Sequence, residues 1–187
     1  MSNTIDETET VFSRPDQRFV NILTTLTFIG SVIGFVFAVM YVMMYNNLEP
    51  VIQKGIAAQG QNIDVTTKEG SQLKQAQDAY FSFRNTIGEE RFDKYQKQGN
   101  LDGLFRSYGH HYMVVAFANL LSFLGALMMR SYKKKGFYLY VLSFVLFMLS
   151  PFLTIWEYQI LSVGTITFTI IGLAFIFLYS RVIKHFV

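Results

Sequence analysis

Four stretches of this chain, 19–45, 107–129, 136–156 and 158–180, contain no Asp, Glu, Lys or Arg, and Glu157 alone separates the last two. A helix advances about 1.5 Å per residue and the hydrocarbon core of a bilayer is about 30 Å thick, so roughly 20 apolar residues reach across it. A helix in a soluble domain keeps charge on its outward face. These stretches have none to keep. The expected fold is an all-α membrane protein, a four-transmembrane-helix bundle with a small helical extramembrane loop between helices 1 and 2. The spans are placed at 19–45, 108–129, 136–155 and 159–180. The first is longer than a crossing needs, with Asn46, Asn47 and Pro50 expected to end it. A cleaved leader fits it poorly, because Asp6, Glu7, Glu9 and Asp16 precede the run and no small-x-small site follows.

Orientation follows from bases in short connections, since long loops translocate largely regardless of charge. Residues 130–135 hold Arg130, Lys133, Lys134 and Lys135, whereas the turn at 156–158 holds only Trp156, Glu157 and Tyr158. Arg181 and Lys184 lie in the tail at 181–187. Both termini are therefore expected in the cytoplasm, with 1–18 as a cytoplasmic segment and 46–107 as an extracytoplasmic loop. A plasma membrane or a bacterial inner membrane is the expected location. Tyr41, Tyr45, Tyr108, Tyr112, Trp156 and Tyr158 would form an outer aromatic belt, and Tyr132, Tyr138, Tyr140 and Tyr179 an inner one.

The net charge of +3 does not point to nucleic acid, because the bases sit at membrane edges. The absence of Cys excludes disulfides, thiolate catalysis and thiolate metal sites.

Lipid solvates Leu and Phe as well as protein does, so helices associate through close backbone approach and interhelical hydrogen bonds. Gly30, Gly34 and Ala38 form one small-residue stripe at four-residue spacing, and Ala118, Ser122 and Ala126 form another. They are expected to pack helices of one chain together, with the alternative that Gly30 and Gly34 face a second subunit. Asn119 beside the second stripe reads as an interhelical hydrogen-bonding residue. Pro151 is expected to loosen the outer end of the third span.

Within the loop, Lys54 to Gly70 reads as irregular and 71–98 as a helical hairpin capped by Ser71 and interrupted at Gly88. Leu73, Tyr80, Phe83, Ile87, Phe92 and Tyr95 fall on an apolar face that needs a cover: the membrane surface, the chain's own bundle, or a partner.

Transport pathways usually place ionisable groups inside the bilayer, and these spans carry none at mid-depth. His110, His111 and Glu157 form a weak polar cluster at the expected outer face, and adjacent histidines diverge by about 100° on a helix. No hydrolase, zinc-protease or phosphate-loop motif is present. No catalytic residue, cofactor or metal is expected. The preferred reading is a non-catalytic polytopic subunit or scaffold of a membrane complex, with the lipid bilayer and other membrane subunits or further copies of the chain as partners. The alternatives are a component of an oligomeric channel or transporter, and a membrane enzyme using the outer-face cluster.

Overall fold

The computed structural model describes residues 14–155 and 163–183, with side chains for 17–155 and 166–183. Residues 1–13, the expected turn at 156–158, the start of the fourth expected span and the tail from 184 lie outside the described residues. Every regular element among the described residues is a helix: α1 (Arg14–Ala57), α2 (Lys68–Ile87), α3 (Glu89–Lys97), α4 (Leu101–Arg130), α5 (Lys134–Thr154) and α6 (Val163–Val182). Three of them contain segments long and apolar enough to cross a membrane: Gln17–Ala57, Leu101–Arg130 and Lys134–Thr154. Ile166–Val182 is a shorter apolar helix. This is consistent with an α-helical membrane protein.

The chain divides into two compact units, one of Met1–Ala38 with Val114–Val187 and one of Val39–Met113. Helices α1 and α4 each contribute to both.

In the first unit, α1, α4, α5 and α6 meet around a cluster of Val20, Leu23, Met129, Tyr140, Tyr179 and Val182. Two of the tyrosines expected in the inner belt, Tyr140 and Tyr179, are thus buried between helices, while Tyr138 is exposed. Helices α4 and α5 are joined by a tight turn in which Tyr132 adopts φ +55°. The Lys133 N–H donates back to the Met128 carbonyl at 3.0 Å. Pro151 sits inside α5 and cannot donate to the Phe147 carbonyl four residues back. The Ser150 hydroxyl donates to that carbonyl instead, at 2.8 Å. The expected loosening is offset by a neighbouring side chain.

The second unit is where the helix boundaries depart from the sequence expectation. Helix α1 does not stop at Asn46, Asn47 or Pro50 but continues to Ala57. A proline inside a helix costs about 3 kcal/mol. Fully burying an aliphatic side chain contributes about 1.5–3 kcal/mol. Ile52 is fully buried, with Leu48 and Ile56 packed on the same cluster, so burial outweighs the breaker. Helix α4 likewise begins at Leu101, seven residues before the expected span, because Leu101, Leu104 and Phe105 are buried in that cluster. The start of α2 also moves. Thr67, not Ser71, is the N-cap, its Oγ1 accepting from the Gly70 N–H at 3.0 Å.

Candidate functional site

The sequence-derived interface residues lie in the first unit. Ala38, Ala118 and Ala126 are buried. The Ser31 hydroxyl donates to the Ser122 hydroxyl at 2.9 Å, tying α1 to α4. Gly34 lies directly against the Asn119 side chain, whose amide N–H donates to the Val115 carbonyl of its own helix at 2.9 Å. Five of the six stripe residues therefore face a neighbouring helix of this chain or bond to it. Gly30 differs, since a side chain there would meet nothing within 4 Å. The two glycines of the first stripe do not act as one surface.

A closer crossing lies between α4 and α5. A methyl group on Gly125 would sit 2.8 Å from the Gly136 carbonyl oxygen, and one on Gly136 would sit 2.6 Å from the Gly125 carbonyl oxygen. These glycines are eleven residues apart across a turn, so a search for small residues within one helix passes over them. A further tie joins α1 and α6, where Thr27 Oγ1 and the Tyr179 hydroxyl are 2.8 Å apart. Thr24 and Thr27 also donate to the Val20 and Leu23 carbonyls of α1. The polar groups inside this unit are thus occupied by helix backbone and by each other.

In the second unit, Tyr80, Phe83, Ile87 and Phe92 are buried against Tyr45, Ile52, Leu101, Leu104 and Phe105, with Tyr95 packed alongside. Leu73 is only half-buried and lies outside that cluster. Of the covers expected for this apolar face (membrane surface, the chain's own bundle or a partner), the C-terminal part of α1 and the N-terminal part of α4 supply it within the second unit. The rings interlock: Tyr41 stacks on Tyr112 at 4.6 Å and Tyr45 on Tyr108 at 5.2 Å. Phe83 meets Phe105 at 5.0 Å. Gly55 carries no side chain because α1 there runs against the Ala76 carbonyl, with the Tyr80 Cβ also close. The α2–α3 corner turns at Gly88, whose φ of +98° favours glycine.

That corner is clamped by Arg84, which donates through Nε and Nη2 to both carboxylate oxygens of Asp93, at 2.9 and 2.8 Å. Glu89 lies 3.4 Å from the same guanidinium. The bidentate hydrogen bonds hold the Asp93 carboxyl below its ordinary value and raise Arg84 above its own. The Thr66 hydroxyl and N–H lower Asp64 in the same way.

The outer-face polar cluster is not assembled by the described residues. His110 is exposed, His111 is half-buried with its ring 5.0 Å from that of Tyr112, and Glu157 lies outside the described residues. No group of three or more His, Asp or Glu side chains among the described residues is placed to hold a metal. A cleft of about 210 Å³ lies among Tyr45, Asn46, Glu49, Asp102, Phe105 and Arg106. An open depression of about 520 Å³ lies along α3 beside Glu90, Asp93, Lys94, Lys97 and Gln98.

No family model, characterised protein or solved structure matches this chain.

Proposed function

We propose that this protein is a non-catalytic subunit or scaffold of a membrane complex. It would have four spans, with α6 forming the fourth, and cytoplasmic termini in a plasma or bacterial inner membrane. The supporting observation is how the interior polar groups are used. Thr24, Thr27, Ser31, Ser122 and Tyr179 are all bonded to helix backbone or to one another, holding helices together. A transport pathway needs polar groups exposed to a passing solute, and an active site needs groups that converge on a substrate.

Because the second unit covers its own aromatic face, its contact with other subunits falls on exposed positions of α2 and α3. Gly30, open on α1, is the position in the small-residue stripes at which another helix can approach. The test is purification from native membranes in mild detergent after cross-linking. A stoichiometric partner, or a defined homo-oligomer, is expected. A chain that runs as a monomer in both the cross-linked and untreated samples overturns the proposal. So does solute flux in proteoliposomes of the isolated chain, which would favour the channel reading.

A further inference from the structure

Arg18, Arg130, Lys133, Lys134, Lys135 and Arg181 are all exposed, and all belong to the first unit. They come from three separate stretches of chain, and the buried cluster draws these stretches together. Arg18 is two residues from Val20, Arg130 follows Met129, and Arg181 precedes Val182, all three cluster members. Tyr132, beside Lys133, packs on the same cluster. The ion pairs among the described residues involve none of these cations. Within 14–30, 123–140 and 174–183, which hold these six cations, Asp16 is the one acid; Asp6, Glu7 and Glu9 lie outside the described residues.

Placement of the charge is as notable as its amount. Lys133, Lys134 and Lys135 occupy the start of α5, which has no side-chain cap and no acid in its first turn. The first turn of a helix favours acids, so three lysines there work against the helix dipole. Arg130 and Arg181 lie over aromatic rings at the ends of apolar helices, at 6.0 Å from Phe28 and 4.7 Å from Phe177. Cations at the margin of membrane-length helices, with apolar flanks below them, match a phosphate-bearing headgroup and its acyl chains. A positive bias that sets insertion direction needs bases only during synthesis. It does not require the folded chain to gather them around one cluster.

We propose that this end of the first unit is a binding surface for anionic phospholipid headgroups and retains them in preference to zwitterionic ones. The inference rests on the membrane-spanning reading and is independent of whether the chain is a scaffold. Each surface cation contributes about five-fold to attraction for anionic lipid, so removing three lowers it by roughly a hundred-fold.

The experiment uses the full chain in detergent, where insertion direction plays no part. Retention of phosphatidylglycerol and of phosphatidylcholine with matched acyl chains is measured by native mass spectrometry. The variants are Lys133→Gln with Lys134→Gln and Lys135→Gln, and a control with Lys54→Gln, Lys74→Gln and Lys97→Gln. The wild-type chain and the control should retain phosphatidylglycerol over phosphatidylcholine, and the first variant should lose that preference. For the wild-type chain alone, raising the salt should collapse the preference. Equal retention of the two lipids by the wild-type chain overturns the proposal, as does an equal loss in both variants. Glycerol phosphate competing as well as the intact lipid would make the occupant a free phosphate, and that also overturns it.

Discussion

The Tyr179 hydroxyl and Thr27 Oγ1 lie 2.8 Å apart, joining two buried side chains on α6 and α1. The direction follows from proton counting. The single Thr27 hydroxyl proton is directed to the Leu23 carbonyl at 3.0 Å, so the proton between the two hydroxyls belongs to the tyrosine. The two groups are therefore unequal. Tyr179→Phe leaves Thr27 bonded to Leu23 and should cost less than about 1 kcal/mol, the usual range for interhelical bonds in membranes. Thr27→Val leaves the tyrosine hydroxyl buried without an acceptor and should cost about 1–3 kcal/mol. Unfolding of both single variants in mixed detergent micelles checks this. Equal costs would mean that the donor assignment is wrong.

Gly125 and Gly136 should tolerate no side chain, and Gly30 should accept one. Gly125→Leu forces α4 and α5 apart against backbone, and overpacking of this kind costs about 1–3 kcal/mol. Gly30→Ala adds a methyl where nothing lies within 4 Å, and replacing glycine within a helix gains up to about 1 kcal/mol. Thermal melting in detergent separates the cases. If Gly30→Ala instead disrupts a purified oligomer without lowering monomer stability, α1 meets a second copy at that position.

Phe92 and Phe81 are close in sequence and opposite in environment. Phe92 is fully buried among Tyr80 and Phe83, whereas Phe81 is 44% exposed. Phe92→Ala should destabilise the second unit by about 3–5 kcal/mol. Phe81→Ala should stay within about 1 kcal/mol. Amide hydrogen exchange across 68–105 is the direct measurement. Fast exchange there in Phe92→Ala, with protection kept in α5 and α6, is the expected pattern.

The Arg84–Asp93 clamp makes the α2–α3 corner acid-sensitive. Because the folded-state pKa of Asp93 lies below its unfolded value of 3.8, the clamp contributes stability above that value. The contribution is lost as pH falls through the folded-state pKa. Asp93→Asn should reduce stability near neutrality and flatten its dependence on pH below about 4. A pH series of melting temperatures for the two proteins should converge in acid. Parallel curves would show that Asp93 titrates as in the unfolded chain.

The helical identity of 71–97 was legible because Tyr80, Phe83 and Ile87 recur at helical spacing and Gly88 breaks the run. What covers that face was not legible. The covering residues Ile52, Leu101, Leu104 and Phe105 lie among Glu49, Lys54, Asp102 and Arg106, charges that end an apolar run by any local criterion. Asp102 and Arg106 pair with each other on the exposed side of α4 instead. The small-residue stripes were visible, yet Gly30 and Gly34 look equivalent in sequence and have opposite surroundings. The Gly125–Gly136 contact was invisible because it depends on two helices being returned against each other by a turn through Tyr132.

By itself, the sequence determined the helical class and the apolar stretches that suit a bilayer, since both depend on the local run of side chains and on the cost of placing charge in hydrocarbon. Tertiary structure decided where α1 ends and α4 begins, which glycine stays open, and which tyrosines are buried between helices. Those outcomes depend on contacts between residues far apart in the chain. The packing of Ile52 past Pro50 is the clearest case, where burial in three dimensions outweighs a proline that local rules read as a stop.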